Sequence, residues 1–441
     1  MAAALERARL ETARLTAEGI RGVALSWVDN AGVGRVKTVP TARLVEAVRA
    51  GVGMSPVFDV FVVDDSITTS PHIGGPDGDL RLFPDLDALT VLAGQPDWAW
   101  APVDRYDQRG VPHPACQRQF ARRMTARAGE RDLTLKAGFE TEWVVVRPSD
   151  DGELVYPTRG PAYGMARLAE LAGYLGDVLD ALVVQGVEVL QLHPEYAPGQ
   201  FEVSVAPADP VRAADLSVLV RETIRSVTLA HGFTPLFGPA VEADGVGNGS
   251  HLHLSLWQDG RNLCADGMSP LAEAFLAGVL RELPALLAVG APSPASYLRL
   301  QPSRWAGVYQ CWGVENREAA LRFVPGWHED PGAANAEVKC FDPAANPYLV
   351  VGSVIAAGLA GVDEGLRLPE PVAGDPVHEG KELRLPESLD ESLAAFAAST
   401  LLRDAMGAPL FEAFAAVRRA EIDLFRGQDP GRIAAATRGR Y

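Results

Sequence analysis

LTLKAGFETEWVVV, residues 133–146, decides the reading of this chain. Leu135, Ala137, Phe139, Thr141, Trp143 and Val145 take alternate positions, and side chains two apart in a strand point to the same face. The run reads as a strand with one face on a core and Glu140 and Glu142 together on the other. Three further stretches repeat the design. In EYAPGQFEVSVA (195–206), Phe201, Val203 and Val205 alternate with Gln200, Glu202 and Ser204, and Glu195 stands just across the Pro198-Gly199 turn. In GNGSHLHLSLW (247–257), Leu252, Leu254 and Leu256 alternate with His251, His253 and Ser255. In NAEVKCFDP (335–343), Val338 and Cys340 alternate with Glu337 and Lys339.

Any one of these rows is accounted for by a sheet with one face in water. Solvated faces mix both signs, however. These rows collect Glu140, Glu142, Glu195, Glu202 and Glu337 with one or two imidazoles and little cation between them. On a shared sheet such carboxylates repel unless cations sit among them. Carboxylates with water suit Mg²⁺ or Mn²⁺, and a histidine in the set tilts the choice toward Mn²⁺. A second constellation is YLRLQPSRWAGVYQCWGVENREAALR (297–322), which sets Arg299, Arg317 and Arg322 close in sequence. Guanidinium forks recognise carboxylate and phosphate oxygens.

Composition excludes several classes around this core. The 441 residues suggest about three domains by length alone. Hydrophobic residues make up 47% and charged residues 22%, which is ordinary globular usage. The net charge of −17 argues against general affinity for nucleic acid or anionic membrane. Cys116, Cys264, Cys311 and Cys340 form no CxxC pair, so reduced thiols in a cytoplasm are expected. The N-terminal MAAALERARLETARL is charged throughout and does not read as a signal peptide. The longest apolar run, 347–362, is short for a span and interrupted by Pro347, Gly352 and Gly358, so it reads as a buried helix.

Along the chain, a helix over 5–15 precedes a hairpin whose turn is Asp29-Asn30-Ala31-Gly32. A short helix follows Pro40-Thr41 and stops at Gly51. This small α+β lobe is expected to end in WAWAPVDRYDQRG (98–110), read as rich in turn residues, which gives domains over 1–106 and 107–441. Helices are predicted over 168–182, 211–230, 271–288, 348–359, 389–402 and 409–425, with an exposed loop over 369–386.

In this order the motifs resemble the glutamine synthetase family. The likeness covers the ExE strand at Glu140 and Glu142, EYAPGQFE, GVGNGSHLHLSL, RLQP with ENREAALR, and EVKCFDPAANPYL, while DNAGVGRVKTVP (29–40) and GDLRLFPDLDAL (78–89) are similar to the family's small lobe. The resemblance implies an α+β fold: a β-grasp lobe, then a catalytic domain whose curved antiparallel sheet is flanked by helices. It implies a homo-oligomer, a dodecamer of two hexameric rings, with each active site between the small lobe of one subunit and the catalytic domain of its neighbour. One metal would be held by Glu142, Glu195 and Glu202, and the other by Glu140, His251 and Glu337. His253 and Ser255 would lie near ATP, with Asn335 and Lys339 also at the nucleotide. Arg299 and Gly247 would hold the amino acid, and Arg317 and Arg322 would neutralise transferring phosphate. The implied cofactors are ATP and two or three Mg²⁺ or Mn²⁺ ions, and the substrates glutamate and an amine.

Two departures bear on the amine. Where the family places a mobile glutamate after the motif arginine, PSRWAG (302–307) presents Trp305, and Ser55 in GVGMSPVFDV stands at about the place of the other ammonium-site acid. An ammonium pocket without carboxylates has no electrostatic basis. The reading is therefore an ATP-dependent ligase for an organic amine, apolar or aromatic, packed on Trp305; a polyamine would be expected to require acids. The alternatives are an authentic glutamine synthetase, with Glu315 or Glu318 as substitute base, and a silent scaffold. Lys339 replaces a customary arginine and Asn335 another, which bears on nucleotide affinity.

Overall fold

The computed structural model describes residues 2–149, 152–380 and 383–441. The first sheet comprises β1 (Gly22–Val28), β2 (Gly34–Pro40), β3 (Val52–Met54), β4 (Leu80–Pro84), β5 (Thr90–Val91) and β6 (Trp98–Asp107). Its order is β2-β1-β6-β4-β3, with β5 beside β6. The expected hairpin is present, and Asp29 closes its turn by accepting from the backbone N–H groups of Ala31 and Val33 at 2.9 and 3.0 Å. Helices Ala2–Ala17 and Leu44–Ala50 close a small core with Leu15, Val23, Leu25, Leu44 and Leu82.

The segment expected to be turn-rich is instead the longest strand of this sheet. Ala99, Ala101 and Val103 point into its core. Pro102 is tolerated because it sits where β6 passes from β1, paired through residue 102, to β4, paired from residue 103. Its carbonyl still accepts from Asp85 N–H at 2.9 Å.

The second sheet comprises β7 (Thr134–Val146), β8 (Val189–Pro194), β9 (Gln200–Val205), β10 (Thr234–Leu236), β11 (Leu252–Gln258), β12 (Arg261–Asn262), β13 (Tyr309–Val314), β14 (Ala319–Val324) and β15 (Asn335–Val338). Its order is β13-β14-β15-β11-β7-β9-β8. The four strands with polar rows, β15, β11, β7 and β9, are consecutive neighbours. Pairing is antiparallel except between β13 and β14, which run parallel. The apolar rows face helices Gln117–Gly129, Pro210–Ala230, Pro270–Gly290 and Pro347–Glu364, whose side chains make one continuous core with Phe139, Trp143, Phe201, Leu252 and Val338.

Helix Pro347–Glu364 has the length and composition of a membrane span, yet 78% of it lies buried inside the fold. Its glycines serve packing: a Cβ on Gly352 would meet the ring of Phe120, and one on Gly358 the ring of Phe275. Two predicted helices are broken. The 168–182 stripe divides at Leu171 into Met165–Glu170 and Ala172–Val184. The 389–402 stripe divides at Ser399, whose hydroxyl caps the N–H of Leu402 and starts a new helix. The 369–386 segment is not exposed throughout: Val372 and Leu385 are buried, and their N–H groups bond to the carbonyls of Trp312 and Val308. Residues 381 and 382 of that predicted loop lie outside the described residues.

Candidate active site

The polar rows meet because register aligns them. Glu142 lies opposite Glu202 across β7 and β9, and His253 lies opposite Glu337 across β11 and β15. All but Glu337, which lies 1% exposed behind them, line one cavity of about 1150 Å³ whose wall also includes Arg299, Arg317, Arg322 and Trp305. The turn that delivers Glu195 requires its glycine: Gly199 sits at φ 66, and a Cβ there would lie 2.5 Å from the carbonyl oxygen of Val145. Arg167, buried, fixes the same turn by donating to the carbonyls of Glu195 and Ala197, each at 2.6 Å.

On one side, the Glu140 carboxylate is 2.8 Å from His251 Nδ1 and 3.1 Å from His253 Nε2. Glu337, 1% exposed, accepts from Lys339 Nζ at 2.9 Å and Arg322 Nη1 at 3.0 Å, with His251 Nδ1 at 3.2 Å. Donor atoms of Glu140, His253 and Glu337 lie within 4.8 Å of one another. On the other side, His193, Glu195 and Glu202 do the same. Glu142 stands between, 4.0 Å from His251 Nε2 and hydrogen-bonded to Gly249 N–H at 2.9 Å and Gln200 Nε2 at 3.1 Å.

The electrostatics fit cations. Burial pushes Glu142 up to about 7, with the charges of Glu202 and Glu195 adding to it against His251. Burial likewise raises Glu202. Burial would also raise Glu140, but the hydrogen bonds from His251 and His253 hold it well below the usual range. Glu337 is pulled to about 2 against its burial by Lys339, His251 and His253. A nearby cation favours the charged form of carboxylates raised in this way, and an imidazole–carboxylate set of this kind suits Mn²⁺ or Mg²⁺.

Five of the six residues expected to hold metal thus line one cavity, and the sixth, Glu337, lies buried behind them in the Glu140–His253 group. His253, expected beside the nucleotide, also falls within the Glu140–Glu337 group, and its Nδ1 bonds Asn335 Oδ1 at 2.9 Å. Ser255 stands apart from the cavity wall and accepts from Trp257 Nε1 at 2.8 Å. Asn335 and Lys339 line the wall. Arg299 is oriented by Nη2 donating to the carbonyls of Cys340 and Phe341 at 2.9 and 3.0 Å, and its Nε has no hydrogen-bond partner among the described residues. Gly247 lies against it, its absent Cβ 2.6 Å from Arg299 Cγ. Arg317 is exposed at the rim and Arg322 reaches Glu337. Trp305 keeps 57% of its surface exposed. Glu315 and Glu318, weighed as substitute bases, do not line the cavity; Glu318 instead accepts the N–H of Trp305 at 2.7 Å.

Sequence reasoning missed His193. Its Nε2 lies 3.4 Å from Glu202 and its Nδ1 3.6 Å from Glu195, and the contact with Glu202 raises it to about 9. The signal was present, since Gln191 and His193 flank Leu192 as a polar row of two on β8. Gln200 was read only as a member of a row, yet it ties Glu142 to the carbonyl of Gly247 at 3.0 Å and to Asn248 Oδ1 at 3.0 Å.

A curved sheet bearing paired carboxylate and imidazole groups, faced by arginines, is suited to divalent cations and an oxyanionic substrate. The model described as glutamine synthetase, catalytic domain, matches residues 114–430, and the chain belongs to that family. The gamma-glutamylpolyamine synthetase GlnA3 of Streptomyces coelicolor is 54% identical over 99% of this chain and 97% of its own. The glutamine synthetase of Thermotoga maritima is 31% identical over 79% of this chain and 82% of its own. Among solved structures, a novel glutamine synthase homolog superposes with a TM-score of 0.87 at 31% identity, covering 96% of this chain and 99% of its own. A GmaS/ADP complex superposes with a TM-score of 0.85 at 29% identity, covering 95% and 97%.

Proposed function

We propose that the chain joins the γ-carboxylate of glutamate to an organic amine that carries a second cationic group, with ATP activating the carboxylate through a γ-glutamyl phosphate. The observation that carries this reading is the single cavity in which both carboxylate–imidazole groups face Arg299, Arg317 and Arg322. Arg299, pre-oriented by two backbone carbonyls, holds the α-carboxylate of glutamate beside Gly247. Glu142, Glu195 and Glu202, with His193, form one cation site, and Glu140, His251 and Glu337, with His253, the other. Bound Mg²⁺ or Mn²⁺ would screen the triphosphate from the approaching carboxylate. Arg317 and Arg322 stabilise the charge that develops on the transferring phosphoryl group. The amine then displaces phosphate, giving an amide, ADP and phosphate.

The 54% relative named for polyamines supports the amine class. The cavity supports it too: Trp305, Tyr163 and Tyr196 bring aromatic faces, and Asp244 and Glu195 bring carboxyl groups, to the same space. A cation is held by that combination. A carboxylate at the amine site was expected to be missing; Asp244, from a loop distant in sequence, supports its being supplied there. The exposed indole of Trp305 favours a second reading, an apolar or aromatic amine. Phosphate release with glutamate, ATP and a panel of polyamines, alkylamines, arylamines and ammonium separates them. A polyamine as best substrate supports the first reading, and ammonium as best substrate would sink both.

The proposal keeps the two lobes, 1–106 and 107–441, as domains, and a ring-shaped assembly that sedimentation would test against a monomer. The four buried cysteines, none joined in a disulfide among the described residues, support a cytoplasmic setting, where thiols stay reduced.

A further inference from the structure

The loop over residues 303–306 forms one wall of the cavity. Ser303 and Trp305 both adopt left-handed backbone, at φ 54 and 55, and Gly307 follows at φ 65. For residues with a Cβ this conformation is intrinsically unfavourable, so something outside the loop must hold it. Glu318, at the foot of β14 and 7% exposed, does so: its Oε1 accepts the N–H of Trp305 at 2.7 Å. Glu318 is itself anchored. Its N–H donates to Asn316 Oδ1 at 3.0 Å, and Asn316 Nδ2 donates to the carbonyls of Val372 and Gly374 at 2.9 Å each. The Ser303 hydroxyl adds a bond to Asp375 at 2.8 Å.

We infer that Glu318 is a latch: a positioning residue that fixes the 303–306 wall, and through it the selection of amine and the exclusion of water from the activated carboxylate. The inference rests on the amine-ligase reading for its kinetic consequences but not for its structural one. A charged acceptor to a buried backbone N–H is among the stronger hydrogen bonds, and its removal leaves the Trp305 N–H and its left-handed backbone without compensation.

Three variants test it. Glu318→Ala removes the acceptor, Glu318→Asp keeps the charge but withdraws it by one methylene, and Glu318→Gln keeps an oxygen in place without charge. Glu318→Ala is expected to raise the amine KM about tenfold, to leave the KM values for glutamate and ATP within about twofold, and to lower the amide formed per phosphate released. Hydrogen exchange at the amides of residues 303–305, measured on the full chain without substrates, is expected to speed up at least tenfold. Glu318→Asp repeats the pattern in weaker form and serves if the alanine variant does not fold. Glu318→Gln stays within about threefold of the native protein. Unchanged amine KM and exchange in the alanine and aspartate variants would overturn the latch. Glu318→Gln falling as far as Glu318→Ala would also overturn it, by assigning the carboxylate charge to chemistry. A native protein that forms no amide with any amine would remove the functional reading while the exchange result stood.

Discussion

Replacing Gly247 by alanine places a methyl group in space that is already filled. The new Cβ would lie 2.0 Å from the carbonyl oxygen of Pro239 and 2.6 and 2.8 Å from Cγ and Cβ of Arg299. The carbonyl cannot retreat freely, because it accepts the N–H of Asn248 at 3.0 Å, and the Asn248 side chain clasps the carbonyls of Leu236 and Gly238 at 3.1 and 3.0 Å. The clash with the carbonyl is not relieved by moving Arg299, so the backbone and Arg299 must both shift. An ordinary contact begins near 3.4 Å, so the separation from the Pro239 oxygen must open by about 1.4 Å and that from Arg299 Cγ by about 0.8 Å. Overpacking of this kind costs roughly 1–3 kcal/mol, a fall in Tm of a few degrees at about 2 °C per kcal/mol in a long chain. The larger effect is on chemistry, since a displacement near 1 Å of a positioning group can lower rates about 100-fold. Initial rates of ADP formation at varied glutamate are expected to show kcat/KM for glutamate reduced by roughly 10- to 100-fold. Calorimetric titration with Mn²⁺ and ATP should stay within about threefold of native, since Gly247 reaches the cation groups only through Gln200. A glutamate KM and kcat within twofold of native would refute the role given to Arg299 and to the glycine that makes room for it.

Three further outcomes are expected. Glu337→Gln leaves Lys339 and Arg322 facing a neutral amide; it should weaken Mn²⁺ binding at least tenfold by paramagnetic titration, and breaking so buried a pair should lower stability by about 3–5 kcal/mol in chemical denaturation. Glu421, 1% exposed beside Arg418 at 3.2 Å, is raised by burial to about 7. The folded state then holds a proton that the unfolded state releases, so native stability falls as pH rises from about 4.5 to 7 and is level above that. Thermal melts of Glu421→Gln should gain on the native protein across that window, and parallel curves would contradict the assignment. Trp305→Ala should reduce kcat/KM for a diamine by about 3- to 10-fold, in keeping with loss of a cation–π contact of about 1 kcal/mol, while the ammonium rate stays within twofold; equal losses with both amines would remove the indole from recognition.

The polar rows were legible because period two is a local property of each strand: Glu140 and Glu142, or His251 and His253, declare a common face without any partner. That these strands lie side by side is not local. It depends on register such as Glu142 opposite Glu202, between residues 60 apart in sequence. The same limit hid His193. Its strand is short, Leu190 on it is exposed, and its closeness to Glu195 and Glu202 arises only once β8 pairs with β9. β6 was misread because Pro102 and Asp104 look like turn chemistry, and only the change of partner at Pro102 explains a ten-residue strand there. Helix stripes gave extent but not breaks, since Ser399 caps a helix by a side-chain bond that apolar periodicity does not register.

Glutamate labelled with ¹⁸O in its γ-carboxylate, supplied with ATP, Mn²⁺ and a polyamine, tests the central claim most directly. If this fold activates the carboxylate by phosphoryl transfer before the amine attacks, mass spectrometry will find one ¹⁸O in each phosphate released and one in the γ-glutamyl amide. Phosphate free of ¹⁸O, with amide still formed, would contradict it.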